Sequence, residues 1–150
     1  MTTSSPVAPV TLDRIEAAMK EHGVELARDD SRDMATANLN GFLVGFALLS
    51  SVLIVRADAM TDIPNDDPNA TLYLAANQVN STAFGARAVV VNRTEKLVVR
   101  TERELPIAAG LNDEQLSTTL KSAVDAVLAS QDAMVTVIEH FEEIMKDINS

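Results

Sequence analysis

The chain has no cysteine. Disulfides, zinc-thiolate centres and thiol nucleophiles are therefore excluded, and nothing in the chain calls for an oxidising compartment. Aromatics are nearly as scarce, with Phe42, Phe46, Tyr73, Phe84 and Phe141 the only five among 150 residues. A hydrophobic share of 47% is nonetheless ordinary, so the core is expected to consist of Leu, Val, Ile, Ala and Met. Glycine is missing where phosphate chemistry would need it: there is no G-x-x-x-x-G-K, G-x-G-x-x-G or G-x-S-x-G, and Gly41 and Gly45 lie in strand-like sequence. Basic charge is short too. Twelve basic residues against 22 acidic ones leave −10 at pH 7, which makes nucleic acid and anionic membrane poor partners, since both need a basic patch to displace counterions. A long apolar run is also absent: eleven of the fourteen residues 42–55 are apolar, short of the roughly twenty a membrane span needs, and Ser50-Ser51 interrupt them.

Only two histidines occur, His22 and His140, and neither has metal-site spacing. A di-iron carboxylate site wants Glu three residues before the histidine, where this chain has Val137. A calcium loop beginning at Asp62 would carry Asp67 at the position that requires glycine. Asp62, Asp66 and Asp67, like Asp29, Asp30 and Asp33, therefore read as turn and cap residues. Sequons at Asn69, Asn80 and Asn92 read as polar turns and helix surface. No catalytic residue, metal or cofactor is expected, and the chain reads as no enzyme. Residues 1–10 have neither a basic n-region nor an apolar h-region, and Ser4, Ser5, Pro6 and Pro9 suggest a disordered lead-in to one domain over residues 11–150. A cytoplasmic address follows as the expectation.

Local signals place the elements. Thr11 caps a first helix in which Leu12, Ile15 and Met19 share a face, Glu16 and Lys20 pair on the wet side, and Gly23 stops it. Val24 to Leu26 reads as a short strand and Met34 to Leu49 as a long one, with Asn40-Gly41 read as a bulge in preference to a type I′ turn. Val52 to Ala59 reads as a central, well-buried strand. A polar crossover at Thr61 to Pro68 leads, with Asp67 as N-cap and Pro68 at the first helical position, into a helix ending near Thr82 whose buried stripe is Leu72, Ala75 or Ala76, and Val79. Ala86 to Asn92 and Leu97 to Arg103 form a hairpin. Asn112 and Gln115 make a capping box for a last helix, with Leu111 stapled onto Leu116.

The run Ala75-Ala76-Asn77-Gln78-Val79-Asn80, the Val-rich hairpin and Gly110-Leu111-Asn112-Asp113-Glu114-Gln115-Leu116 together resemble the YbjN family from Thr11 to about Ile144. The resemblance implies an α+β fold like that of the type III secretion chaperones: a twisted antiparallel sheet of about five strands with packed helices, in the order α-β-β-β-α-β-β-α. It also implies a non-enzymatic, protein-binding role of the kind given to sensory-transduction regulators. No catalytic residue carries over. Asn77 and Asn80 are the transferable motif positions, and their amides are expected to bond backbone where the middle helix gives way to Phe84.

The expected partner is another protein or a second copy, possible homodimer included; the alternative is a metabolite-sensing domain with a ligand between sheet and middle helix. Two surfaces are candidates. In the last helix, Met134, Ile138, Phe141, Met145 and Ile148 form an apolar stripe between Glu139, Glu142, Glu143 and Asp147. Unbroken, that helix would run about 54 Å, against a radius of gyration of about 15 Å for such a chain, so it either overhangs or breaks, most readily at Ser130-Gln131-Asp132. The competing expectation is that the segment folds back over an open face of the sheet. The second surface is the hairpin, where Arg87, Arg93, Lys96, Arg100 and Arg103 would make a basic strip facing the acidic last helix or an acidic partner. With no metal site in view, treatment with a strong chelator should leave the far-ultraviolet circular dichroism unchanged; loss of the folded signal would overturn the reading of His22, His140 and the Asp62 loop.

Overall fold

A computed structural model of the chain describes residues 5–82 and 85–149. Its elements are α1 (Leu12–Glu21), β1 (Ala27–Asp29), β2 (Met34–Leu39), β3 (Phe42–Leu48), β4 (Val52–Pro64), α2 (Thr71–Thr82), β5 (Arg87–Val91), β6 (Lys96–Pro106) and α3 (Asp113–Asn149). The strands form one antiparallel sheet in the order β1-β2-β3-β4-β6-β5. The α+β class stands, with six strands rather than about five. The additional strand comes from Asn40-Gly41, which turns the chain instead of bulging it. Both residues have positive φ, 53° and 84°, and Leu39 pairs with Phe42 across them. That two-residue loop carries the twist a hairpin needs, so the bulge reading is corrected.

Two further boundaries move. The first strand lies three residues beyond Val24 to Leu26, because Val24 and Leu26 pack against the core instead. Strand β4 runs through the expected crossover to Pro64, with a register irregularity after Met60. Asp67 and Pro68 do not open α2. The Asp67 carboxylate accepts from the Asn69 N–H (2.8 Å) and the Asn69 side chain accepts from the Thr71 N–H (2.9 Å), so two successive Asx turns delay the helix to Thr71. Phe84 lies outside the described residues. At the other helix ends the expected caps are present: the Thr11 hydroxyl accepts from Arg14 N–H (3.3 Å), and the Asn112 and Gln115 side chains bond each other's backbone at 2.7 and 2.9 Å.

All three helices pack on one face of the sheet. Ile15, Met19, Leu116, Leu120 and Val127 meet Val44, Phe46, Leu53 and Val55 in one buried cluster. Leu72, Ala75, Ala76 and Val79 of α2 meet Ala88, Leu97, Val99 and Met134 in a second. Helix α3 spans both, and it is continuous over 37 residues, about 55 Å. Ser130-Gln131-Asp132 does not break it. The Gln131 amide is buried and donates to the carbonyls of Ala57 (2.8 Å) and Val99 (2.9 Å), on the neighbouring strands β4 and β6. Thr101 of β6 donates its hydroxyl back to the Val127 carbonyl (2.7 Å). The polar group that suggested a cap is thus used against the sheet, where a buried amide must find partners. No described helix is long and apolar enough to cross a membrane.

The lead-in is also corrected for residues 5–10, while residues 1–4 lie outside those described. Ala8 and Leu111 exchange backbone hydrogen bonds of 3.2 and 3.0 Å. The Arg14 guanidinium gathers the carbonyls of Ala8 (2.7 Å), Pro9 (2.8 Å) and Leu111 (2.7 Å) and the carboxylate of Asp113 (3.0 Å). This crossing needs glycine at 110. Its φ is +78°, and a Cβ there would stand 2.6 Å from the Ala8 carbonyl oxygen.

Removing the Gln131 amide leaves a void and two carbonyls short of a donor, so Gln131→Ala should lower unfolding free energy by about 2–3 kcal/mol. Urea unfolding measures this. An unchanged midpoint and slope would show that the amide does not hold the helix to the sheet.

Candidate functional site

Helical spacing sets Met134, Ile138, Phe141, Met145 and Ile148 along one stripe of α3, with Ile144 at its border. The fold divides the stripe. Met134 is 1% exposed and belongs to the α2 cluster, so it is core and not a contact residue. Ile138 and Phe141 are half-buried against the same cluster. Beyond them the stripe outruns its cover: Met145 is 52% exposed and Ile148 70%. Glu139, Glu142 and Glu143 flank it and form no ion pair with any described residue. Where the helix overhangs, a cleft of about 850 Å³ opens between Glu139, Glu142, Met145 and Lys146 on one side and Asn69 and Thr71 on the other.

The basic strip does not form as expected. Arg93 lies in the turn between β5 and β6, the other members divide between the two faces of the sheet, and those facing away from the helices are met by carboxylates of their own sheet. Arg100 holds both oxygens of Asp58 on β4, at 2.8 and 3.0 Å. The hydrogen bond to Asp58 raises the Arg100 pKa further above its ordinary value. Arg87 is paired with Glu102 and Lys96 with Asp62 (3.3 Å). Arg103 lies on the helix side and reaches the Ser122 hydroxyl (3.2 Å). The expectation that Arg87 and Arg100 face α3 is corrected on these grounds: antiparallel register sets Glu102 opposite Arg87 and Asp58 opposite Arg100, on the face away from the helices.

What the sequence reading missed is the uncovered face of the sheet. Strand β4 was expected to be buried throughout, yet its burial alternates, with Leu53, Val55 and Ala57 inward and Ile54, Arg56 and Asp58 outward. The alternation of apolar and charged residues from 55 to 58 was the signal for it. On this face Leu43 is 51% exposed and Met60 74%. Arg56 sits in one row with Gly45 and Glu102, but the Glu102 carboxylate is engaged by Arg87. The Arg56 chain instead lies over Gly45, where a Cβ would touch its Cγ at 3.6 Å, and its buried Nε has no hydrogen-bond partner.

The two asparagines part company. Asn80 accepts from the Ala88 N–H (2.7 Å) and donates to the Ala88 carbonyl (2.8 Å), closing part of the outer edge of β5 as another strand would. Asn77 is exposed, and its side chain makes no hydrogen bond to a described residue. His22 meets the Ser117 hydroxyl (2.9 Å) and carbonyl (3.1 Å) through one ring nitrogen, and no carboxylate orients the other among the described residues. His140 lies beside Phe141, ring centroids 6.4 Å apart. Among the described residues no three acidic or histidine side chains converge on a metal position.

Replacing Asn80 by Ala should cost about 1–2 kcal/mol, because two half-buried backbone groups lose their partner, whereas Asn77→Ala should stay within about 0.5 kcal/mol. Chemical denaturation of both variants checks this, and equal effects would refute the edge-closing role.

Comparison with known proteins agrees with this architecture. The crystal structure of YbjN from E. coli superposes with a TM-score of 0.63 at 15% identity, covering 93% of this chain and 97% of that one. A chain of the ExsC-ExsE complex gives 0.53 at 20% identity (79% and 92%), and one of the HopA1-SchA chaperone-effector complex 0.52 at 15% (87% and 99%). No curated protein matches by sequence. A family model matches residues 11–135, that of YbjN, "Putative bacterial sensory transduction regulator", and the chain belongs to this family.

Proposed function

We propose that the chain is a non-enzymatic, protein-binding module, chaperone-like or regulatory in character. One observation carries the reading: the apolar stripe of α3 is continuous from the core into the overhang, where Ile144, Met145 and Ile148 are exposed between glutamates that pair with no described residue. Apolar residues on a protruding helix mark an interaction surface, and methionine adapts to varied partners. The fold shared with chains solved in the ExsC-ExsE and HopA1-SchA complexes supports the same reading. The cytoplasmic address expected from the sequence remains part of this proposal. A ligand between the sheet and α2 finds little support, since Leu72, Ala75, Ala76, Val79 and Met134 fill that space.

The test is co-purification from the native host with tagged wild type and with a Met145→Asp/Ile148→Asp variant. Both substitutions fall on exposed positions, so the melting temperature should hold. The expected result is a specific partner retained by wild type and reduced about tenfold or more by the variant. Equal recovery on both would sink the proposal that the α3 end binds.

A further inference from the structure

The end of α3 joins an apolar track to an excess of one charge. Ile144 is 41% exposed, Met145 52% and Ile148 70%. Beside them Glu139, Glu142 and Glu143 are exposed and in no ion pair with a described residue, and Lys146 is the only lysine or arginine among residues 132–149. All three glutamates line the cleft of about 850 Å³ that α3 shares with Asn69 and Thr71, and Met145 stands among them. We infer that this end of α3 takes a cationic amphipathic segment of a partner protein, its apolar residues on Met145 and Ile148 and its lysines or arginines against Glu139, Glu142 and Glu143. This rests on the reading of the α3 end as a binding surface and names the chemistry of the partner.

Charge selects this occupant. Apolar area alone would accept any hydrophobic surface, but carboxylates at the edge of an apolar contact steer in the opposite sign and penalise their own. A second α3 end would set Glu139, Glu142 and Glu143 against their copies, and an anionic lipid surface would meet the same repulsion. The rest of a second copy has little to offer. Seven of the twelve basic residues are already in ion pairs within the chain. The others, Lys20, Arg56, Arg93, Arg103 and Lys146, are spread over α1, β4, the β5-β6 turn, β6 and α3. A bare cation is not held either, since among the described residues no three acidic or histidine side chains converge on a metal position. What fits is a segment that carries apolar and cationic groups together. Methionine at the contact accommodates apolar side chains of different shapes, and the carboxylates decide which sequences are drawn to it.

The experiment is fluorescence anisotropy on the full chain with a labelled amphipathic peptide of about eighteen residues, leucine at helical spacing and lysine elsewhere. A second peptide carries serine in place of leucine. Because the chain as a whole carries −10, general attraction is measured with Glu21→Gln/Glu25→Gln, which removes two exposed carboxylates at the end of α1 and gives the same net charge as Glu142→Gln/Glu143→Gln. Circular dichroism confirms that each variant folds. Wild type should bind the leucine-lysine peptide, with affinity falling as salt rises. Glu142→Gln/Glu143→Gln and Met145→Ser/Ile148→Ser should each raise the dissociation constant about tenfold, and Glu21→Gln/Glu25→Gln by less than about twofold. The serine-lysine peptide should bind wild type about tenfold more weakly or worse. Absence of binding, equal affinity in the two glutamate variants, indifference to Met145→Ser/Ile148→Ser, or equal affinity for the two peptides overturns the inference. If one of these occurs while co-purification still loses its partner with Met145→Asp/Ile148→Asp, the α3 end binds a partner of other chemistry, so failure of the chemistry and failure of the surface are distinguishable.

Discussion

The buried clasp between α3 and the strand pair β4-β6 organises this molecule. Gln131 reaches down to the carbonyls of Ala57 and Val99 while Thr101 reaches up to the carbonyl of Val127, so donors pass in both directions within two turns of helix. Buried polar groups tolerate little displacement, because a slip of one residue would leave an amide, a hydroxyl and their acceptors unpaired at once. Apolar packing alone would let a long helix slide along a twisted sheet. The clasp sets its register, and with it how much of α3 lies over the sheet and how much extends beyond.

Everything functional follows from that register. With Met134 fixed inside the α2 cluster, the stripe leaves the core about three turns later, and Met145 and Ile148 emerge without cover. Because α1, α2 and α3 share one face, the other face of the sheet keeps only what its own side chains provide. There the pairs Asp58-Arg100 and Glu102-Arg87 neutralise each other across neighbouring strands, and Arg56 and Glu104 are in no ion pair with a described residue. A surface can therefore be rich in arginine by sequence and nearly neutral in space, with its unpaired charges at positions that composition does not distinguish.

The N-terminal segment shows a second constraint of the same kind. Residues with low propensity for regular structure are held by one arginine that collects four acceptors from two distant stretches of chain. Arg14 reads as an ordinary wet-face residue of α1, and its role exists only because Gly110 lets the chain pass within hydrogen-bonding distance of Ala8.

Local chemistry made much of this legible from the residues alone. The caps at Thr11 and Asn112, the buried stripe of α2, the Val-rich hairpin and the helical period of the last third all depend on neighbours a few residues apart. Asn40-Gly41 was legible as a turn too, but hairpin and bulge share the same left-handed conformations, and only the pairing of Leu39 with Phe42 separates them. Long-range decisions were beyond the sequence. Whether Gln131 ends a helix or anchors it depends on two carbonyls 32 and 74 residues away, and whether Arg100 is free depends on Asp58, 42 residues away. The sequence by itself determined the helices and the Val-rich hairpin in outline and the apolar character of the α3 stripe, since these arise from local periodicity. Tertiary structure alone decided which part of that stripe is core and which is surface, because that boundary is set by where the sheet stops and the helix does not.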